Sequence, residues 1–503
     1  MRTRAMRSPP IVRMLSGGQG SKRRLKRYLL SKLLLVMVWV GGLAMLSYIN
    51  SHFGIDIFSQ VHRRSLEGGE DQLYYEPPSN YNRTETTCNS AVRMPAGIPR
   101  DTFQHVQGSD IYVYSAYLDR RVPGKHKVRI IGLSPVQPGP VFCEYYYEDG
   151  TVVSTPATNV LTSVDLTLHR NFRFKPYLFY CNETRGKKVD VVSLTRAPCA
   201  VPSNMLLVTP IMGKSELEVE DSLAICLRTL HHVHSPYVVI EFVELQRFLG
   251  VQHFYVYGAE DVSQPVQRIL DYYASLGLLT ILPWHLPVKN SPVFEKPGEI
   301  AIHAQHALNN DCLYRTMNIH RLVFMHDMDE YIIPRNPNIR TVRELLNQIH
   351  EAKKSQGNTE KYASYFFLNC YFCLEQSDYS NSGPQLLTLK RNYRHVCLKP
   401  EMERAWRENP SQRHIEGGRG AAKKSLIYPM RVIQMGVHGI IDAIPGYQRE
   451  LKVGTYYAAM HHYKRPADIA CQTPDNTLVY KYQVALKDRV NKVCADIGIP
   501  QVK

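Results

Sequence analysis

The sequence predicts an α/β protein with three lumen-or-membrane parts: one membrane-crossing helix near the N-terminus, a small all-β sandwich-like domain, and a larger domain whose mostly parallel sheet is flanked by helices. Three observations predict it. A basic leader runs into an apolar stretch, short β-favouring runs recur through residues 101–200, and apolar runs alternate with helical patterns from residue 205 onward. The expected divisions are a cytosolic basic tail over 1–32, a transmembrane signal anchor over 33–49, a stem over 50–100, a β-rich accessory domain over 101–200 and an α/β domain over 205–503.

The first 32 residues carry ten Lys or Arg and no acid, and the apolar stretch 33–49 follows. At about 1.5 Å of rise per residue, that stretch, extended by Tyr28-Leu29-Leu30, reaches across a thin hydrocarbon core of roughly 30 Å. Positive charge ahead of the span places the N-terminus in the cytosol and the remainder in a lumen. The leader is long for a cleaved signal, and no small-residue cleavage site follows Ile49 closely, so an uncleaved anchor is expected. The net charge is +16, from 61 basic and 45 acidic residues. Ten of those positive charges sit in the tail, and no later stretch interleaves Arg with aromatics, which argues against nucleic acid as a partner.

All eleven cysteines lie beyond the apolar stretch, so most are expected to pair in an oxidising lumen, with an odd one left over. Cys370 and Cys373 form an isolated Cys-x-x-Cys, read as structural rather than as redox or zinc chemistry. Asn82 and Asn182 head two glycosylation sequons on the lumenal side.

Residues 50–100 are polar and turn-rich. Beyond them Ile111-Tyr112-Val113-Tyr114, Val128-Arg129-Ile130-Ile131, the run 141–147, Tyr177-Leu178-Phe179-Tyr180 and Val189-Asp190-Val191-Val192 read as strands of a sandwich. Their tyrosines either stack on sugars or pack across strands. Leu223-Ala224-Ile225-Cys226-Leu227 reads as a buried strand. A helix begins at Ser235-Pro236 and stops at Gly250. A second strand over 253–258, a helix over 265–276 stopped by Gly277, a third strand over 278–282 and a helix over 302–317 follow. The strand Leu322-Val323-Phe324-Met325 then ends in His326-Asp327-Met328-Asp329-Glu330. This order calls for right-handed crossovers, with ligands beyond the carboxyl ends of the strands. Asp327 and Asp329 sit there, and two such carboxylates can hold a hard divalent cation, which can in turn hold a diphosphate. No glycine-rich phosphate loop competes for that task.

The run from about 222 to 466 resembles the catalytic domain of glycosyltransferase family 92. The matching segments are the run 241–254 beginning Glu241-Phe242-Val243-Glu244, then Asn310-Asp311-Cys312-Leu313-Tyr314-Arg315, then Asp327-Met328-Asp329-Glu330-Tyr331-Ile332-Ile333-Pro334, with Gly436-Val437-His438 and His462-Tyr463-Lys464 later. The resemblance implies a GT-A type fold in a type II Golgi membrane protein. It also implies an inverting, Mn2+-dependent enzyme that moves galactose from UDP-galactose to form β1,4 linkages on a glycoprotein glycan. The partners it implies are the UDP-sugar, the glycan acceptor and the Golgi membrane, with a homodimer left open.

On that resemblance Asp329 ligates the metal, Asp327 contacts the ribose or shares the ion, and His462 is a further ligand, with His461 the rival one residue away. Arg228 is expected near the uridine, and Asp311 and Arg315 beside the donor sugar or phosphate. Glu330 is either functional or an ion pair at the turn. Lys464 keeps the charge of an expected Arg without its bidentate fork. An inverting transfer also needs a carboxylate to take the acceptor hydroxyl's proton; Glu375, Asp378, Glu401, Glu403 beside Trp406, and Asp442 are the candidates. The competing expectations are a lumenal glycan-binding protein without turnover, and a metal-dependent hydrolase.

Overall fold

The computed structural model describes residues 74–75, 85–89, 97–162, 172–183, 188–211, 219–292, 296–374, 385–390, 394–397, 424–464, 471 and 473–502. The expected tail and anchor lie outside these, as do Asn82, Glu375, Asp378, Glu401, Glu403 and Trp406. Among the described residues, no helix is long and apolar enough to cross a membrane. Everything described falls in one compact unit, Gln72–Lys503.

The protein is mixed α/β, strand-rich with few helices. Taken together, the sheets are antiparallel or mixed, and the seven-stranded sheet of the α/β part is itself mixed, with four parallel and two antiparallel pairings. The β-rich segment forms one eleven-stranded sheet. Its Leu206–Ile211 strand pairs parallel with Ile111–Asp119 and antiparallel with Val189–Thr195, joining two halves. The halves enclose a shared core, with Val113, Val128, Ile130 and Phe179 facing Cys143, Tyr145, Val153 and Val192. A Cys143–Cys181 disulfide ties them. Tyr114, Tyr145, Tyr146, Tyr147 and Tyr177 are buried, so they pack rather than offer faces to sugars.

The second sheet has seven strands. Leu279–Leu282, His253–Tyr257, Leu223–Leu227 and Leu322–Met325 run parallel in that spatial order. Lys424–Ile427 follows antiparallel, between Leu322–Met325 and Tyr362–Phe367, and Gln448–Val453 pairs parallel at the edge. Its side chains divide with period two. Leu223, Ile225, Leu227, Phe254, Val256, Leu322 and Phe324 face one core, packed under the helices Pro236–Phe248, Gln264–Ser275, Val342–Ser355 and Thr477–Ile497. Ala224, Cys226, Tyr255, Tyr257, Val323 and Met325 face the other. That second face is covered by the helix Gln305–Thr316 and by Tyr114, Tyr117, Ile131 and Leu133 of the β-rich sheet. The β-rich part thus serves as a packing layer of the α/β part. Each fully buried Leu, Ile, Val or Phe stabilises the fold by roughly 1.5–3 kcal/mol.

Local signals explain the helix ends. Pro236 occupies the first turn of its helix, although the Ser235 side chain makes no capping bond. Gly250 lies just past that helix at φ +101, a conformation that side chains with a Cβ rarely adopt. The helix expected over 302–317 begins later. Ile302, His303 and Ala304 all have positive φ, and the regular helix starts at Gln305.

Five disulfides form: Cys88–Cys199, Cys143–Cys181, Cys226–Cys312, Cys370–Cys397 and Cys373–Cys471. Cys494 is free and buried. Cys370 and Cys373 take different partners, so the Cys-x-x-Cys is structural.

Candidate functional site

Three neighbouring strands bring charge to one sheet edge. Parallel pairing aligns Cys226 with Met325, so the next residues outward, Arg228 and Asp327, emerge together. Arg228 Nε lies 2.9 Å from Asp327 Oδ1. On the other side, antiparallel pairing of Leu426 with Phe324 puts Lys424 at the same edge. Its Nζ lies 3.5 Å from Asp327 Oδ2 and 3.1 Å from Glu330 Oε2. Asp327 therefore sits between two cations supplied by its flanking strands.

The turn between the strands is closed by its own acid. The Asp327 N–H donates to Glu330 Oε2 at 2.9 Å, and the Glu330 N–H donates to the Asp327 carbonyl at 3.2 Å. Glu330 is buried, ion-paired with Lys424 and opposite His462 in the antiparallel pairing of Glu330–Pro334 with Ala458–Tyr463. That pairing resolves the histidine register. His462 Nε2 lies 3.1 Å from Asp329 Oδ2, whereas His461 points to the other face and stacks on Phe372 at 4.0 Å between ring centroids.

Burial opposes charge on Asp327, yet Lys424, Arg228 and His462 hold its carboxyl well below the usual carboxylate range. Burial likewise opposes charge on Asp329, and His462 outweighs it, so Asp329 is also lowered. His462 is raised: burial alone would lower it, but Asp329 and then Glu330 favour the imidazolium. Lys424 is raised in the same way by Asp327 and Glu330 against its burial.

A divalent cation fits these donors. One ligand atom each of Asp329, Glu330 and His462 lies within 4.8 Å of the others. Asp327 Oδ1, close to Arg228 but not aligned for a hydrogen bond, is buried without a hydrogen-bond partner. Asn369 Oδ1 is in the same condition, while Asn369 Nδ2 lies 3.0 Å from His462 Nδ1. Turned end for end, Asn369 would accept from His462 Nδ1–H and leave the Nε2 lone pair facing Asp329. Carboxylates with one imidazole suit an ion of the Mn2+ class.

Asp327, Met328, Asp329 and Arg228 line a cavity of about 270 Å³ together with Thr229, His231, Glu241, Thr388 and Tyr463. Glu241 is buried and accepts from the Leu387 N–H at 2.9 Å, the Thr388 N–H at 2.8 Å and Thr388 Oγ1 at 2.5 Å, which pins that wall of the cavity. Burial pushes its carboxyl up to about 7, against those hydrogen bonds. The folded chain then holds an extra proton between the ordinary value of 4.5 and about 7. That contribution to stability is fully present below 4.5 and is lost as pH rises through 7, by an amount on the order of 3 kcal/mol. Glu241→Gln should flatten the fall in unfolding free energy between pH 5 and pH 8, measured by urea titration. An unchanged slope would assign the pH dependence to another group.

The sequence-based expectations divide. Arg228, Asp327, Asp329 and His462 come together. Asp311 and Arg315 do not join them, which corrects the expected donor contact. The Asp311 carboxylate is fully buried and accepts from Ser115 Oγ at 2.5 Å, Tyr117 OH at 2.7 Å, Tyr257 OH at 2.6 Å and Arg315 Nε at 3.0 Å. It anchors the β-rich sheet to the α/β part. Asp442 is also remote from the cavity lining, on the Ile440–Ala443 strand, where its carboxylate accepts from the Ala443 N–H. Asn182 is exposed at the end of its strand. Lys424, Glu241 and Asn369 had no site role in the sequence reading. Lys424 reads as surface beside Lys423, and its only local signal is that a single serine separates it from the apolar Leu426-Ile427.

The model of a family described as glycosyltransferase family 92 matches residues 221–493, which is more than half of the 503-residue chain and includes every residue of the charged edge. A β-1,4-galactosyltransferase of Caenorhabditis elegans is 26% identical over 119 residues, 23% of this chain and 26% of that protein. The chain therefore spans about a quarter of the length of that relative.

Proposed function

The chain belongs to glycosyltransferase family 92, and from that premise we propose that it transfers galactose from UDP-galactose, with inversion and in β1,4 linkage, to a glycan of a glycoprotein. The observation that carries the reading is that Arg228, Asp327 and Asp329 line one cavity, with His462 Nε2 3.1 Å from Asp329 Oδ2. The GT-A type, the Mn2+ requirement and a Golgi type II setting belong to the same proposal. They draw on the strand order, the donor set, and the basic leader with its apolar stretch.

Asp329 and His462 would hold the cation, with Asp327 sharing it. When bound, the ion supplies Lewis-acid stabilisation for the charge that develops on a departing diphosphate. The remaining chemistry belongs to the chain. Arg228 offers a guanidinium to the diphosphate from the cavity side. Lys424 keeps Asp327 ionised and, paired with Glu330, holds the turn closed. The acceptor hydroxyl would lose its proton to a carboxylate opposite the leaving group. Glu375 and Glu403, both outside the described residues, stand proposed for that step.

Release of UDP by the purified full chain in detergent, with Mn2+, a donor panel and glycoprotein acceptors, tests the reading. UDP-galactose should be turned over fastest, and only when acceptor is present. Acceptor glycans bound with no release from any donor would instead support a binding protein.

A further inference from the structure

A second set of metal-ligand side chains lies apart from the Asp327–Asp329 turn. The short strands Leu230–Val233 and Ala259–Val262 pair in parallel, with His231 opposite Glu260 and Val233 opposite Val262. His232 and Asp261 lie between those pairs. Both adopt left-handed backbone, at φ +55 and +53, where side chains with a Cβ are strained. The result turns the two side chains into contact, His232 Nδ1 against Asp261 Oδ2. His234 arrives from two residues further on. One ligand atom from each of His232, His234 and Asp261 lies within 4.8 Å of the other two. All three residues are exposed, so an ion could enter directly from solvent.

We infer that His232, His234 and Asp261 hold a divalent transition-metal ion of the zinc class. A plain ion pair would need only His232 and Asp261. It leaves the third converging donor, and the matched strain on both strands, without a reason. Two imidazoles and one carboxylate form a three-ligand zinc set that leaves a fourth position for water. Imidazole-rich sites favour zinc, nickel and copper over manganese, so this site would select a different ion from the carboxylate-rich turn. Two other ligand clusters among the described residues, at Cys88–Cys199 and Cys370–Cys397, have their sulfurs committed to disulfides. The neighbouring His231 lines the cavity, whereas His232, His234 and Asp261 do not.

The test uses the full chain in detergent, stripped with chelator, carrying Asp329→Ala to silence the turn. Zn2+ is titrated in competition with a chromophoric chelator, and Co2+ is followed by its visible absorption. One Zn2+ equivalent should bind, and Co2+ should give the intense bands of a four-coordinate site. Adding His234→Ala should weaken Zn2+ binding at least tenfold, since loss of a mere outer-shell partner already costs about 10–100-fold. Asp261→Asn, which keeps a hydrogen-bond acceptor for His232, should weaken it similarly. Zn2+ should also raise the thermal midpoint of the parent by more than that of either variant at the same Zn2+ concentration. Absence of Zn2+ uptake by the parent, or parent-like uptake by both variants, overturns the site. These readouts involve no sugar transfer, so they stand or fall separately from the proposed activity.

Discussion

Asp329→Ala should lower UDP release from the nucleotide sugar by at least ~100-fold, with little change in stability. Each decade of lost rate corresponds to about 1.36 kcal/mol of transition-state stabilisation, and a single preorganised charge-stabilising group commonly supplies 2–3 such decades. Asp329 is placed for that role and not for holding the fold. Its side chain is 43% exposed, and among the described residues its one ion pair is with His462. The hydrogen bond that organises the chain there, from the Tyr463 N–H to the Asp329 carbonyl, is backbone and survives the substitution. With Asp329 half-exposed and the buried His462 still beside Glu330, loss of the pair is worth up to ~1 kcal/mol, so the thermal midpoint should move by only a few degrees. Steady-state assay and calorimetry on one preparation separate the two effects. An Asp329→Ala protein with parent-like turnover would sink the metal assignment.

Lys424→Met should be the reverse case, with a large loss of stability. Lys424 and Glu330 are 2% and 1% exposed. Without the ammonium, the Glu330 carboxylate keeps only the Asp327 N–H and a 3.6 Å approach of His462 Nδ1. Asp327 keeps the Arg228 ion pair and the weaker influence of His462. Breaking one partner out of a buried charge pair costs about 3–5 kcal/mol, because the remaining charge stays desolvated. Urea unfolding should record that loss, and adding Glu330→Gln to Lys424→Met should recover much of it by removing the stranded charge. Equal stability of Lys424→Met and the parent would overturn the assignment of Lys424 and Glu330 as a buried pair that stabilises the fold. A double mutant no better than the single would place the cost at Asp327 instead.

How much was legible depends on whether the signal was local. Leu223–Leu227 and Leu322–Met325 were readable because short apolar runs between turn residues have few other ways to bury themselves. Gly250 and Gly277 marked helix ends because positive φ favours glycine. The direction of Lys424–Ile427 was not readable, since a buried strand looks the same run either way, and Lys424 was lost with it. Asp311 and Arg315 looked like helix charges free to meet a ligand. Only the packing of Ser115 and Tyr117 against them makes them an anchor.

The order of amino acids by itself determined the basic leader and apolar stretch, the place of the parallel strands Leu223–Leu227, His253–Tyr257, Leu279–Leu282 and Leu322–Met325 and of the three helices between them, and an Asp-x-Asp following an apolar strand. Tertiary structure alone decided which cations flank those acids, that His462 rather than His461 faces them, and which cysteines pair. The physical reason is distance along the chain. Lys424 reaches Asp327 across 97 residues, and His462 reaches Asp329 across 133. A carboxylate's charge and role depend on what lies within a few ångströms of it, and strand pairing at such separations leaves no mark in the local pattern.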